Sequence, residues 1–341
     1  MMERRFLNGL ILTEVEVANL TGSSPTVEKY MEGNNSFTKK IGGRGYCSAY
    51  SVKYAMKQYL KAVGYEINDE DGDPYHNINL DLFGHMNAMK KDITVEEYEQ
   101  LSSEAKQLYQ KKKKEKNYEL KNKSVTKRMD GKFKLNGLVG LGLNYVQKEF
   151  VTKTINGITE NMITREIYSD VMQGIFNFEI DRVGKFIVGD EGREKMDFIS
   201  SDLELKGVKE ELDREERIKR IQDCLYSINF LTLESNQSNA LNDTKPNFVI
   251  LGEFGWGNNM FQGLITREGL DVETLKNRLI DYDRFRKSKI WIGIDGKLDK
   301  FNGFKIDAKE IKEQLKDYDV EVLTVGQAFN EYNKYIEDTL E

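Results

Sequence analysis

The chain has 341 residues, of which 39% are hydrophobic and 32% charged, and its net charge is −6. This composition supports a real core and excludes a globally cationic, histone-like binder, but not a local basic groove. No run of about eighteen apolar residues predicts a membrane span, no signal-type segment opens the chain, and the two lone cysteines, Cys47 and Cys224, point to a reducing, cytoplasmic setting.

Residues 6–20 read as a strand, with Val15 and Val17 alternating with Glu14 and Glu16. Gly22, Ser23, Ser24 and Pro25 break it, and a polar loop runs to Lys40. The stretch KKIGGRGYCSAYSVKYAMKQYLK follows, from Lys39 to Lys61. Its glycines surround Arg44, and a helix begins near Ser48 with Ala49, Val52, Met56, Tyr59, Leu60 and Val63 on one stripe. Lys53, Lys57 and Lys61 form a basic ridge beside that stripe. Glycines before a helix N-terminus make a phosphate seat, and the same pattern also fits a plain turn before a solvated lysine face.

Residues 66–79 are acidic, and Asp69, Asp71 and Asp73 begin like a calcium loop. Pro74 and Leu80 stand where that loop needs glycine and glutamate, so a solvated loop is expected. In DLFGHM, Leu82 and Phe83 read as a core plug and Gly84 as a turn, and with His76 the only other histidine, His85 has no zinc-ligand set. Between Lys106 and Lys134, twelve Lys/Arg face three acids, with Tyr109, Tyr118 and Phe133 interspersed. That run fits a solvated insertion and a nucleic-acid-facing arm equally.

Residues 138–151 read as a strand, a polar excursion follows, and residues 175–180 alternate again. Two strands around an excursion predict a protruding hairpin, here termed the thumb. A long helix is expected over 208–230, with Leu212, Ile218, Ile221, Leu225 and Ile228 inward. An amide-rich stretch precedes a strand over 247–254, buried on both faces, after which Trp256 reads as an exposed aromatic. Further strands are expected at 290–294 and 320–325, a helix from Asp307 with Glu310 completing a capping box, and a last helix from about Gln327. The predicted fold is α+β: a modified RRM or ferredoxin-like core with large insertions and a C-terminal αβ extension. With three prolines and no Ser/Gly linker, 1–341 reads as one body, with insertions at 65–135 (helical, basic arm) and 151–173 (thumb).

No Walker, HExxH, GxSxG or CxxC motif occurs, so no catalytic residue, metal or cofactor is expected. The RRM aromatic signature is missing too, so RNA would bind another surface. In order, LTEVEVAN, GGRGYCSAYSVKYAMKQYL, DLFGHM and NQSNALNDTKPNFVIL resemble the DevR-type CRISPR-associated proteins. These are the seventh Cas family, the repeated backbone subunit of type I Cascade, and the resemblance is nearest the I-B branch. It covers about 6–90 and 135–255.

The resemblance implies a hand-shaped subunit that stacks with further copies of itself in a filament along guide (cr)RNA. It would assemble with other Cascade subunits, support recognition of a target DNA strand, and have no membrane partner. Sequence-independent grip suits a guide carrier, because base pairing reads the target. The implied RNA contacts are Lys39, Lys40, Arg44, Tyr46, Ser48, Lys53 and Lys57 at the turn and helix; Met162, Arg165 and Met172 in the thumb; and Asn239 and Trp256. Type III relatives cut RNA with an aspartate in the loop after the first strand. Residues 20–43 hold Glu28 and Glu32 but no Asp, so no slicer activity is expected. A type III-like nuclease and a DNA-binding autoregulator remain the alternatives.

Overall fold

The computed structural model describes residues 4–21, 37–67, 74–89, 99, 102–103, 106–107, 125–155, 158–186, 211–234 and 241–341. They divide into two compact units, one within 1–67, 132–183 and 213–341, the other within 68–131 and 184–212.

The first unit is built around β1 (Phe6–Ala18), whose run of apolar residues is buried on both faces. It lies between β9 (Ile158–Glu179) and β10 (Phe248–Phe254), antiparallel to both. The next strand across is β7 (Leu138–Gly140), antiparallel to β9. Helix α1 (Ala49–Ala62) follows β1, and α3 (Arg214–Asn229) connects β9 to β10. The order β10-β1-β9-β7 with these two helices is the ferredoxin-like βαββαβ pattern. Beyond β7 the sheet continues into β3 (Arg44–Cys47) and β2 (Lys40–Ile41). Strands β6 (Phe133–Leu135) and β8 (Gln147–Ile155) also pair with β9.

The expected C-terminal extension widens the same sheet. β11 (Ile290–Ile294) pairs antiparallel with β10, and β14 (Val320–Leu323) pairs parallel with β11. A parallel pair needs a crossover, and the short strands β12 (Lys297–Leu298) and β13 (Ile306–Asp307) and helix α5 (Ala308–Gln314) lie in it. Helix α6 (Val325–Thr339) starts with a capping box from Thr324 and Gln327. At α5 only half of the expected box forms: Asp307 accepts from the N–H groups of Lys309 and Glu310, while the Glu310 carboxylate pairs with Lys305. One face of β10 (Phe248, Ile250, Phe254) packs with α4 (Val272–Asp281), Phe261, Leu264 and Phe304. Glu253 and Val249 lie on the other face, toward Tyr332 and Ala328 of α6. There α1 packs on α3 and α3 on α6.

Three elements differ from the sequence expectation. The excursion read between strands is itself strand: β8 and β9 pair from Gln147↔Ile167 to Ile155↔Ile158, with a register shift between Lys153 and Thr154. Within 208–230 the described helix is Arg214–Asn229, and Leu212 packs instead on Phe186 in the second unit. The glycine turn is a β-hairpin. Gly42 and Gly43, at φ 56° and 78°, fill a two-residue loop between β2 and β3, which requires positive φ at both positions.

In the second unit, α2 (Ile78–Phe83) buries Leu80 and Leu82, and Gly84 turns the chain into β4 (Gly84–Met89). β4 pairs with β5 (Val125–Asp130). The buried Asp81 carboxylate accepts the Gly184 N–H at 3.1 Å. Residues 108–124 of the basic arm, and Asp69, Asp71 and Asp73, lie outside the described residues. No described helix is long and apolar enough to cross a membrane.

Candidate nucleic-acid interface

The hairpin β2–β3 presents Lys39, Lys40 and Arg44 as exposed cations at the sheet edge, with Tyr46 half-buried beside them. Arg44 has no carboxylate partner among the described residues. Lys40 is spoken for: its ammonium lies 2.7 Å from Glu166 on β9, which also accepts the Thr38 N–H at 3.2 Å. The Gly42–Gly43 turn and the α1 N-terminus sit at opposite ends of β3, roughly 10 Å apart. They do not form one phosphate cradle. Ser48 is the N-cap of α1, accepting the Ser51 N–H at 3.3 Å, and its hydroxyl meets that of Ser51 at 2.9 Å.

On α1 the stripe Val52, Met56 and Leu60 is buried, while Val63 is exposed. Lys53 and Lys57 are half-buried, so they are not a freely solvated ridge. Burial pushes the Lys53 ammonium pKa down; nearby Cys224 raises it, and Lys57 and Lys134 lower it further. Lys53 therefore faces the neighbourhood of α3 and β6. Lys61 is the exposed member of the series.

The thumb residues separate. Thr152↔Met162 and Glu149↔Arg165 are register pairs of the β8–β9 ladder, and the Arg165 guanidinium is paired with Glu149. Met172 has no accessible surface: it lies in β9 between Thr13 and Gly140 and belongs to the core, which corrects its assignment as an RNA contact. Asn239 lies outside the described residues. Trp256 is 55% exposed and stacked on Phe285 at 5.8 Å. It does not join the hairpin. Tyr46 lies in one row with Val139, Gln173, Leu12 and Phe248, and Phe254 is six residues, roughly 20 Å, further along the strands.

Sequence reasoning missed a loop beside Arg44. Asp170, buried on β9, accepts N–H groups from Gly142 at 2.8 Å, Leu143 at 3.1 Å and Val171 at 2.9 Å. Burial raises its pKa, and those three bonds and Arg267 oppose the rise. Arg267 donates to the Gly142 carbonyl, and the Arg44 stem lies 3.2 Å from where a Cβ on Gly142 would sit. Tyr145, in the same loop, is 90% exposed. Tyr50 and Tyr54, one turn apart on α1, are 86% and 63% exposed. Their spacing was visible in the sequence, whereas Arg267 lies 125 residues from its partner and left no local signal. No group of His, Cys, Asp and Glu among the described residues is arranged to hold a metal ion.

No protein-family model and no curated protein matches the sequence. The fold is similar to a solved chain titled CRISPR RNA-guided surveillance complex, at TM-score 0.52 and 11% identity, covering 97% of this chain and 99% of that one. A second, titled CRISPR RNA-guided surveillance complex, pre-nicking, aligns at TM-score 0.51 and 10% identity with the same coverage. The shared architecture spans nearly the whole of each chain.

Proposed function

We propose that the chain is a non-catalytic guide-RNA-binding subunit of a type I Cascade effector, of the I-B kind, repeated along crRNA as the filament backbone and supporting recognition of a target DNA strand. The observation that carries this reading is the end-to-end fold likeness to chains of RNA-guided surveillance complexes. The sequence resemblance to the backbone family and the cationic β2–β3 hairpin point the same way. An acidic chain that grips RNA must do so locally, through groups such as Lys39 and Arg44 of the β2–β3 hairpin.

The test is titration of single-stranded RNAs of mixed sequence and increasing length at several salt concentrations. Cooperative binding is expected, with little base preference and affinity falling by orders of magnitude between about 50 and 500 mM salt. Equal affinity at both salts, or one copy bound regardless of RNA length, would contradict the proposal.

A further inference from the structure

We infer that Arg44 and Arg267 form a two-armed grip on one backbone phosphate of single-stranded RNA across the 141–146 loop, with Tyr145 stacking on an adjoining base. This rests on the RNA-binding reading above and adds the place of contact. Both arginines are exposed, and both reach Gly142, one through a hydrogen bond to its carbonyl and the other through its aliphatic stem. Two cationic side chains that pass the same glycine favour an anion bound beside it. Asp170 is the acid beneath, but its oxygens are engaged by the Gly142, Leu143 and Val171 N–H groups. It fixes the loop from inside and also attracts Arg267, while Arg44 has no carboxylate partner among the described residues.

The loop is prearranged for this. Gly142 sits at φ 77°, a left-handed conformation suited to glycine, and a Cβ there would crowd the Arg44 stem. Tyr145 follows three residues later with its ring almost fully in solvent. A phosphate between two guanidinium forks and an aromatic ring one nucleotide away is the chemistry of sequence-tolerant single-strand binding.

The experiment compares wild type with Arg44→Gln, Arg267→Gln and Tyr145→Ala, using a fluorescein-labelled mixed-sequence single-stranded RNA across a salt series. Lys316→Ala, on the exposed α5–β14 connection, is the control. Thermal melts should superpose, because all the altered side chains are exposed. Glutamine at 267 removes the charge and keeps a neutral polar side chain, so a purely structural role would leave the salt dependence unchanged. The grip instead predicts that each arginine variant lowers the slope of log affinity against log salt by part of one phosphate's worth, and that the double arginine variant lowers it by roughly 0.7 in total. Tyr145→Ala should weaken binding by roughly tenfold with no change in slope. If wild type binds RNA and Arg267→Gln and Tyr145→Ala match it in affinity and slope, the grip is refuted while the RNA-binding reading stands. If wild type does not bind RNA, both fail.

Discussion

Replacing Asp170 with alanine tests whether a single buried carboxylate organises the candidate site. Three N–H donors lose their acceptor. Val171 is buried, so its orphaned N–H costs about 1–3 kcal/mol; Gly142 and Leu143 are half-exposed, so water recovers part of their loss and about 0.5–1.5 kcal/mol remains for each. Against this, the variant no longer buries a carboxylate whose pKa is raised chiefly by desolvation. The net destabilisation is about 2–4 kcal/mol, a shift of roughly 1 M in the urea midpoint at an m-value of about 3 kcal/mol/M. The sign with pH follows from the raised pKa. The native state takes up a proton before the unfolded chain does, so the wild-type margin over Asp170→Asn should widen as pH falls toward the ordinary value of 3.8. Urea titrations at neutral and mildly acidic pH, with hydrogen exchange at Gly142, Leu143 and Val171, report both effects. A midpoint shift below about 0.2 M with unchanged protection of these amides would refute the reasoning.

Glu253 has no accessible surface and accepts from Arg5 at 2.5 and 3.0 Å and from the Tyr332 hydroxyl at 3.0 Å, so Glu253→Ala should cost about 3–5 kcal/mol in thermal or urea melts, and Glu253→Gln clearly less. Lys53→Glu should lower the melting temperature because its half-buried position disfavours charge, whereas Lys57→Glu should stay within about 1 kcal/mol of wild type while weakening RNA binding; equal melts for the two would contradict this. Because the Lys53 pKa is depressed, its charge opposes folding at neutral pH, and that penalty should lift as pH rises through the depressed value toward 10.5, a gain that Lys53→Met removes. No metal-dependent RNA cleavage is expected, and cuts at regular spacing that vanish with chelator would overturn that expectation.

The strongest elements were legible because their pattern came from burial alone. NFVILGEF announces β10, and Val52, Met56 and Leu60 announce α1. The βαββαβ order followed from such segments, and so did the α+β assignment. The 22-residue β9 was not legible in full. Its inward positions include Glu166, Tyr168 and Asp170 before reaching Met172, Phe176 and Phe178, so polar residues interrupt the expected apolar alternation. Those carboxylates are inside because they accept hydrogen bonds from distant segments, Glu166 from Thr38 and Lys40, Asp170 from the 141–146 loop. The same long-range pairing misled the reading of the site. Lys40, expected at the RNA, carries an ion pair with Glu166 that the sequence did not signal, Met172 looked like a thumb residue and is core, and Arg267 gave no signal before the fold brought it to Gly142.

Extraction of the nucleic acid that co-purifies with the native protein tests the guide-carrier account most directly. A guide carrier should yield a discrete small RNA of one dominant length, sensitive to ribonuclease and resistant to deoxyribonuclease, whose sequences share a constant part joined to a variable part. Recovery of no RNA, or of unrelated fragments of random length that high salt does not enrich into one species, would contradict it.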